Sequence, residues 1–155
     1  MDTKGGLATC ASTTRGIFAG GDSSTNVIQY ITIASTGNAT DFGDLPLATK
    51  YAAGCSSSTV GVFGGGSNTT ERSNVINQVT IASTGNATDF GDLTVGRYEP
   101  SACSNSTRGV FGGGNTLTNT MDYVVIASAG NALDFGDLTA ARQAIAACSG
   151  FHGGI

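Results

Sequence analysis

The sequence predicts an all-β chain made of three consecutive four-stranded antiparallel units. Its first support is internal repetition, which is sought before any local pattern. The phrase GNATDFGDL at 37–45 and 85–93 returns as GNALDFGDL at 130–138. Cysteines at 10, 55, 103 and 148 repeat with it, at intervals of 45, 48 and 45 residues. The second support is composition: the chain holds 24 glycines and only 12% charged residues. Glycine supplies the positive φ of tight turns and weakens helix interiors. The third is a β-branched run in every period, whereas no stretch keeps an apolar spacing of 3.6 residues over three turns.

Each period divides into four short runs bounded by turn residues. A cysteine-containing run comes first, as in YAAGCSSS at 51–58. An aliphatic residue and Phe followed by small residues come next, as IFAGG at 17–21 and VFGGG at 62–66 and 110–114. The third run has the highest β propensity: VIQYITIAS at 27–35, VINQVTIAS at 75–83 and MDYVVIAS at 121–128. ATDFGDL closes the unit. The units span about 7–45, 51–93 and 98–138, and AIAACSG at 144–150 starts a fourth copy before a tail to residue 155. Cys and the following Phe are eight residues apart in every unit, and each unit's final Leu precedes the next Cys by ten. The three extra residues of the middle unit therefore fall between Phe63 and Gly85, most simply in SNTTERSN at 67–74.

A net charge of −4 and seven scattered basic residues give no patch for nucleic acid. No apolar run is long enough to span a bilayer, and MDTKGGLATCAS lacks the apolar core of a signal peptide. No membrane insertion is expected. A virion protein reaches the exterior by lysis without a leader, so an extracellular role stays open.

Little in the sequence suits catalysis. His152 is the only histidine and lies in the tail. The glycine runs at 64–66 and 112–114 lack the Gly-Lys-Ser/Thr of a phosphate loop. One cysteine per unit does not match the close pairs of zinc sites. Cys55 and Cys103 are expected as small core residues, with Cys10 and Cys148 less fixed, and neither a metal nor a cofactor is expected. The recurring pairs Asp41 and Asp44, Asp89 and Asp92, and Asp134 and Asp137 suit turns held by carboxylate-to-amide bonds, or else calcium. The turn is preferred because a dense ligand run is missing. The four Asn-x-Ser/Thr sequons at Asn38, Asn68, Asn86 and Asn105 are unremarkable in a chain this rich in these residues.

Four antiparallel strands in one such period make a β-propeller blade. The units resemble the kelch repeat, the blade type also found in the central domain of galactose oxidase. The resemblance rests on the pairs Gly20 and Gly21, Gly64 and Gly65, and Gly112 and Gly113 after the second run. It rests also on Phe42, Phe90 and Phe135 in the fourth run, and on Lys50, Arg97 and Arg142 before the next unit. Kelch blades usually carry Trp where these phenylalanines stand, and a Tyr where this chain has Ile-Ala-Ser. The resemblance implies a divergent propeller of the kind seen in phage and bacterial surface proteins. It implies no copper centre, since the His and Tyr ligands are missing.

Propellers close with about four to eight blades, so three require a longer chain or further copies. Self-association is expected, as a dimer completing six blades or as a filament. The expected function is a non-enzymatic module for binding or adhesion to a glycan or a surface protein, in a phage tail fibre or extracellular assembly. The alternative is a purely structural ring or fibre component. Recognition is expected on the loops at 22–26, 67–74 and 115–120, through Asp22, Asn26, Asn68, Glu71, Arg72, Asn115 and Asn119, which are polar and vary between similar units.

Overall fold

A computed structural model describes residues 5–22, 25–68, 71–115 and 118–149. The FHGGI segment with His152 lies outside them. The described residues form strands and turns only, so no helix long and apolar enough to cross a membrane is present among them.

Repeat 1 contains β1 (Ala8–Ala11), β2 (Arg15–Ala19), β3 (Val27–Thr32) and β4 (Thr40–Asp44). Repeat 2 contains β5 (Ala53–Ser56), β6 (Val60–Gly64), β7 (Val75–Thr80) and β8 (Thr88–Asp92). Repeat 3 contains β9 (Ser101–Ser104), β10 (Arg108–Gly112), β11 (Thr120–Val125) and β12 (Leu133–Asp137). Each repeat is one four-stranded antiparallel sheet in sequence order, and the three sheets do not close a ring. The third strand ends earlier than its β-branched run: Ile-Ala-Ser turns the chain toward the fourth strand. The extra residues of repeat 2 lie between Gly64 and Val75, as the spacing predicts.

The fourth strand carries a bulge. Ile28 faces Gly43 while Gln29 faces Asp41, which leaves Phe42 without a pairing partner, and the same shift recurs in the other two repeats. A bulge re-aims a side chain; here Phe42 and Phe90 turn into the following repeat and become buried. Gly43 and Gly91 follow with φ of 146° and 148°. A Cβ at either would collide with the carbonyl of Gly85 or Gly130 in the next repeat, so glycine is needed for the close approach as much as for φ.

The core lies between sheets rather than within one. Cys10, Ile17, Ile28, Phe42 and Leu45 of repeat 1 pack on Phe63, Val79, Ile81 and Ala87 of repeat 2. Cys55, Val62, Ile76, Phe90 and Leu93 of repeat 2 meet Phe111, Val124, Ile126 and Ala132 of repeat 3 in the same way. Residues adjacent on a strand point to opposite faces, so Val62 faces one junction and Phe63 the other. Each large buried side chain contributes about 1.5–3 kcal/mol of apolar transfer.

The first strands sit side by side, β1 against β5 and β5 against β9. Small residues allow this: a side chain at Gly54 would strike the Thr9 carbonyl. Serine hydroxyls tie these strands together. Ser56 Oγ donates to the Ala11 carbonyl (2.7 Å) and accepts from the Ala11 N–H (3.4 Å). Ser104 Oγ does the same with the Ser56 carbonyl (2.8 Å) and N–H (3.2 Å), and Ser149 Oγ accepts from the Ser104 N–H (2.9 Å). Residues 144–149 thus lie beside β9, where a fourth first strand would stand.

Candidate functional site

The connections after the second and fourth strands meet at one end of the sheets. Gly21 N–H donates to Thr49 O (3.0 Å), Gly66 N–H to Arg97 O (2.9 Å) and Gly114 N–H to Arg142 O (2.9 Å). Gly20, Gly65 and Gly113 precede these donors with φ of 68°, 72° and 64°, so the left-handed turn is made by Gly20 and Gly21, Gly65 and Gly66, and Gly113 and Gly114. In repeats 2 and 3 this is one residue later than the expected pairs, because Gly64 and Gly112 end β6 and β10. These bonds align Thr49 with Arg97 and Arg142. The expected equivalence of Lys50 is thereby corrected by one residue: Lys50 aligns with Tyr98, the two standing at the same interval after Leu45 and Leu93.

Two residues after each of these acceptors, the chain turns into the next first strand through a left-handed residue. Gly6 (φ 65°), Tyr51 (58°), Glu99 (57°) and Ala144 (50°) occupy this position, each four residues before its cysteine. Three are not glycine, and such residues cost of order 1–3 kcal/mol unless the surroundings hold them. Backbone bonds between successive turns do so: Tyr51 N–H donates to Gly6 O (2.8 Å) and Glu99 N–H to Tyr51 O (2.9 Å).

The turns bring Tyr51 and Tyr98 together, with ring centroids 6.3 Å apart and planes inclined at 46°. Lys50 Nζ lies 5.8 Å from the Tyr51 ring and the Arg72 guanidinium 5.9 Å from the Tyr98 ring. Asp22 hydrogen-bonds the Tyr51 hydroxyl and raises its pKa; the Asp22 charge, desolvation and the charge of Glu99 push the same way. The result is two half-exposed aromatic faces bordered by both signs of charge.

Of the loop residues expected from sequence, Asp22 and Arg72 belong to this cluster. Asn115 adjoins it through its N–H, which donates to Tyr98 O (2.7 Å). Asn68 Oδ1 accepts from the Glu71 N–H (2.9 Å), so this pair shapes its own loop. Asn26 and Asn119 are exposed, and their carbonyls accept from Leu45 and Leu138 N–H (2.7 Å each). Sequence reasoning did not place Lys50, Tyr51, Tyr98 or Glu99 at the site, because they stand at the entry to the first strands rather than in the variable loops after the second. A signal was present: of the four tyrosines, only Tyr51 and Tyr98 lie outside the third strands.

Cys10 and Cys55 are buried, Cys103 is half-buried and Cys148 exposed, all as free thiols. The expectation of a buried Cys103 is corrected. Cys10 and Cys55 sulfurs rest against Gly61 and Gly109 of the following repeat, and no described repeat follows Cys103. Burial pushes the Cys10 thiol up to about 12 and raises Cys55 further. The Asp pairs are strand residues, and among them Asp134 holds a local amide, that of Gly136 (3.2 Å). The recurring amide bonds come instead from the next repeat, with Asn86 Oδ1 accepting from Asp44 N–H (3.0 Å) and Asn131 Oδ1 from Asp92 N–H (3.1 Å). Among the described residues no three His, Cys, Asp or Glu side chains converge as a metal site would require.

No protein-family model matches the chain, and no curated protein matches it either.

Proposed function

We propose that the chain is a non-enzymatic recognition module, a divergent kelch-like propeller segment whose loop end binds a glycan. The observation that carries this reading is the Tyr51 and Tyr98 pair, joined by Asp22, Lys50, Arg72 and Glu99 at left-handed turns. Tyrosine offers rigid amphipathic area at little entropic cost, and a few fixed polar groups then orient a ligand. The C–H face of a pyranose lies on such a ring, and mixed charges at its border suit hydroxyls better than a single ionic group. Strained turns at equivalent positions support recognition rather than mere connection. The setting proposed is a virion or extracellular surface assembly, on the strength of the family resemblance.

The test is a glycan array with the purified chain and its Tyr98→Ala variant. Binding that falls about tenfold, or 1.4 kcal/mol, in the variant supports the site. Tyr98 is half-exposed, so an unchanged circular dichroism spectrum is expected alongside the loss. Absence of binding to any glycan, or binding indifferent to Tyr98, would refute it. A protein ligand sensitive to Tyr98 would move the assignment from sugar to polypeptide.

A further inference from the structure

The two apolar cores are the same interface made twice, and the described residues leave the two halves of a third exposed. One half is the rear face of repeat 3. Cys103, Val110, Met121, Phe135 and Leu138 stand where the other repeats bury Cys, Ile or Val, Ile, Phe and Leu, yet none of the five is buried. Phe135 is 47% exposed against 3% for Phe90. The other half is the front face of repeat 1: Phe18, Ile31, Ile33 and Ala39 stand where repeats 2 and 3 bury their counterparts. Ile33 is 52% exposed, against 1% for Ile81 and for Ile126.

The polar fasteners follow the same pattern. At the first junction Gly85 N–H donates to Phe42 O (2.7 Å), Asp44 N–H to Asn86 Oδ1 (3.0 Å) and Ala87 N–H to Asp44 O (2.8 Å). At the second, Gly130, Asn131 and Ala132 make the three equivalent bonds with Phe90 and Asp92 (2.7, 3.1 and 2.8 Å). In repeat 1 the N–H groups of Gly37 and Ala39 and the Asn38 Oδ1 hold the places of these partners, and in repeat 3 the Phe135 carbonyl and the Asp137 N–H and carbonyl hold the complementary ones. The space over Gly136 is empty where Gly43 and Gly91 meet a carbonyl. Arg15 also reaches forward to Ile81 O (2.9 Å), and Arg108 holds the equivalent place in repeat 3, stacked on Tyr123 as Arg15 is on Tyr30.

We propose that the rear face of repeat 3 docks the front face of repeat 1 of a second copy of this chain, head to tail. Phe135 inserts beside the partner's Ile33 and Ala39, the edge at 135–137 takes the partner's Gly37, Asn38 and Ala39, and Arg108 meets the partner's Ile33 carbonyl. A second copy is the occupant because it brings the very surface that this chain already buries, twice, against an equivalent face. Residues 144–149 lie where the incoming β1 must sit. They yield, since they are mostly exposed and held to β9 through Ser104, whereas β1 is paired along its length with β2. Ala11 of the incoming strand lacks the hydroxyl that Ser56 and Ser104 use at this position, so Ala11→Ser strengthens the contact.

The experiment is light scattering on a sizing column with the full chain, Phe135→Asp and Ile33→Asp. The wild type is expected to be heavier than one 15.4 kDa chain. Each variant alone is expected to run as a single chain, because each loses one half of the interface. Mixed in equal amounts, they retain one intact half each and form a dimer that grows no further. Arg108→Glu and Ala39→Arg, also at exposed positions, replace either variant that fails to keep the wild-type circular dichroism spectrum. Ala11→Ser is expected to tighten wild-type association severalfold. A monomeric wild type, variants that still associate alone, or a mixture that stays monomeric would each overturn the proposal.

Discussion

The junction between repeats 1 and 2 and the junction between repeats 2 and 3 share one apolar frame but hold opposite polar inserts. At the second, Arg97 is fully buried and ion-paired with Asp122. Its guanidinium also donates to Thr120 O (2.8 Å), and Thr94 Oγ1 donates to Asp122 Oδ1 (2.6 Å). At the first, the matching positions are Thr49, Asn77 and Pro46. There Asn77 Oδ1 is buried without a partner, beside a cavity of about 40 Å³. Equal backbone bonds span both junctions, so the apolar frame and the edge bonds set the geometry and the polar centre is interchangeable. A buried ion pair is weak support for stability in itself, and its partners become costly only when separated.

The comparison breaks most visibly at Arg97. Replacing it with Met leaves Asp122 buried without a counter-charge and is expected to cost about 3–5 kcal/mol in urea unfolding. Adding Asp122→Asn should return much of that loss, and a failure to do so would mean that Arg97 acts through packing. Transplanting the pair sharpens the point. Thr49→Arg with Asn77→Asp should be more stable than the two single changes added together, with a coupling of about 1–3 kcal/mol. Additive singles would show that the first junction cannot close around a guanidinium.

The third test uses pH. Cys10 belongs to the first junction and Cys55 to the second, and both thiols are raised by burial. In the unfolded chain they ionise near 9.0, while folded Cys10 holds its proton to about 12. Stability is therefore unaffected by these groups below pH 9 and falls between pH 9 and about 12, where the unfolded state releases protons first. Each thiol should remove about 1.4 kcal/mol per pH unit above its unfolded value. Cys10→Ala and Cys55→Ala should each flatten the alkaline fall by one thiol's share, which reports on one junction at a time.

Strand number, order and approximate limits were legible because each is written three times, and a feature repeated at fixed spacing outweighs local ambiguity. The Phe of DFGD was readable as important, but its bulge was not, since a bulge is a property of register between Ile28 and Gly43 rather than of either residue. The Arg97 and Asp122 pair was hidden because Arg97 was legible only as a basic residue between units and Asp122 only as a strand residue of the next. It arises only when two units stack. The tyrosine cluster was missed for a related reason: Tyr51 and Tyr98 meet through left-handed turns that no glycine announces, and attention to variable loops after the second strand led elsewhere. Asp22 and Arg72 were found because they sit in those loops as well as beside the rings.

The serine ties have a mechanical consequence. At Ser56 and at Ser104 one hydroxyl engages both the carbonyl and the N–H of a single residue on the neighbouring strand. Two bonds from one atom to one residue fix height along the strand. A force that slides one inner strand past the next must rupture both together, whereas a force that peels the outer edges apart meets the three edge bonds one after another. The array should therefore resist shear along its centre more than peeling at its rim, and single-molecule pulling from the two directions would yield different rupture forces from the same fold.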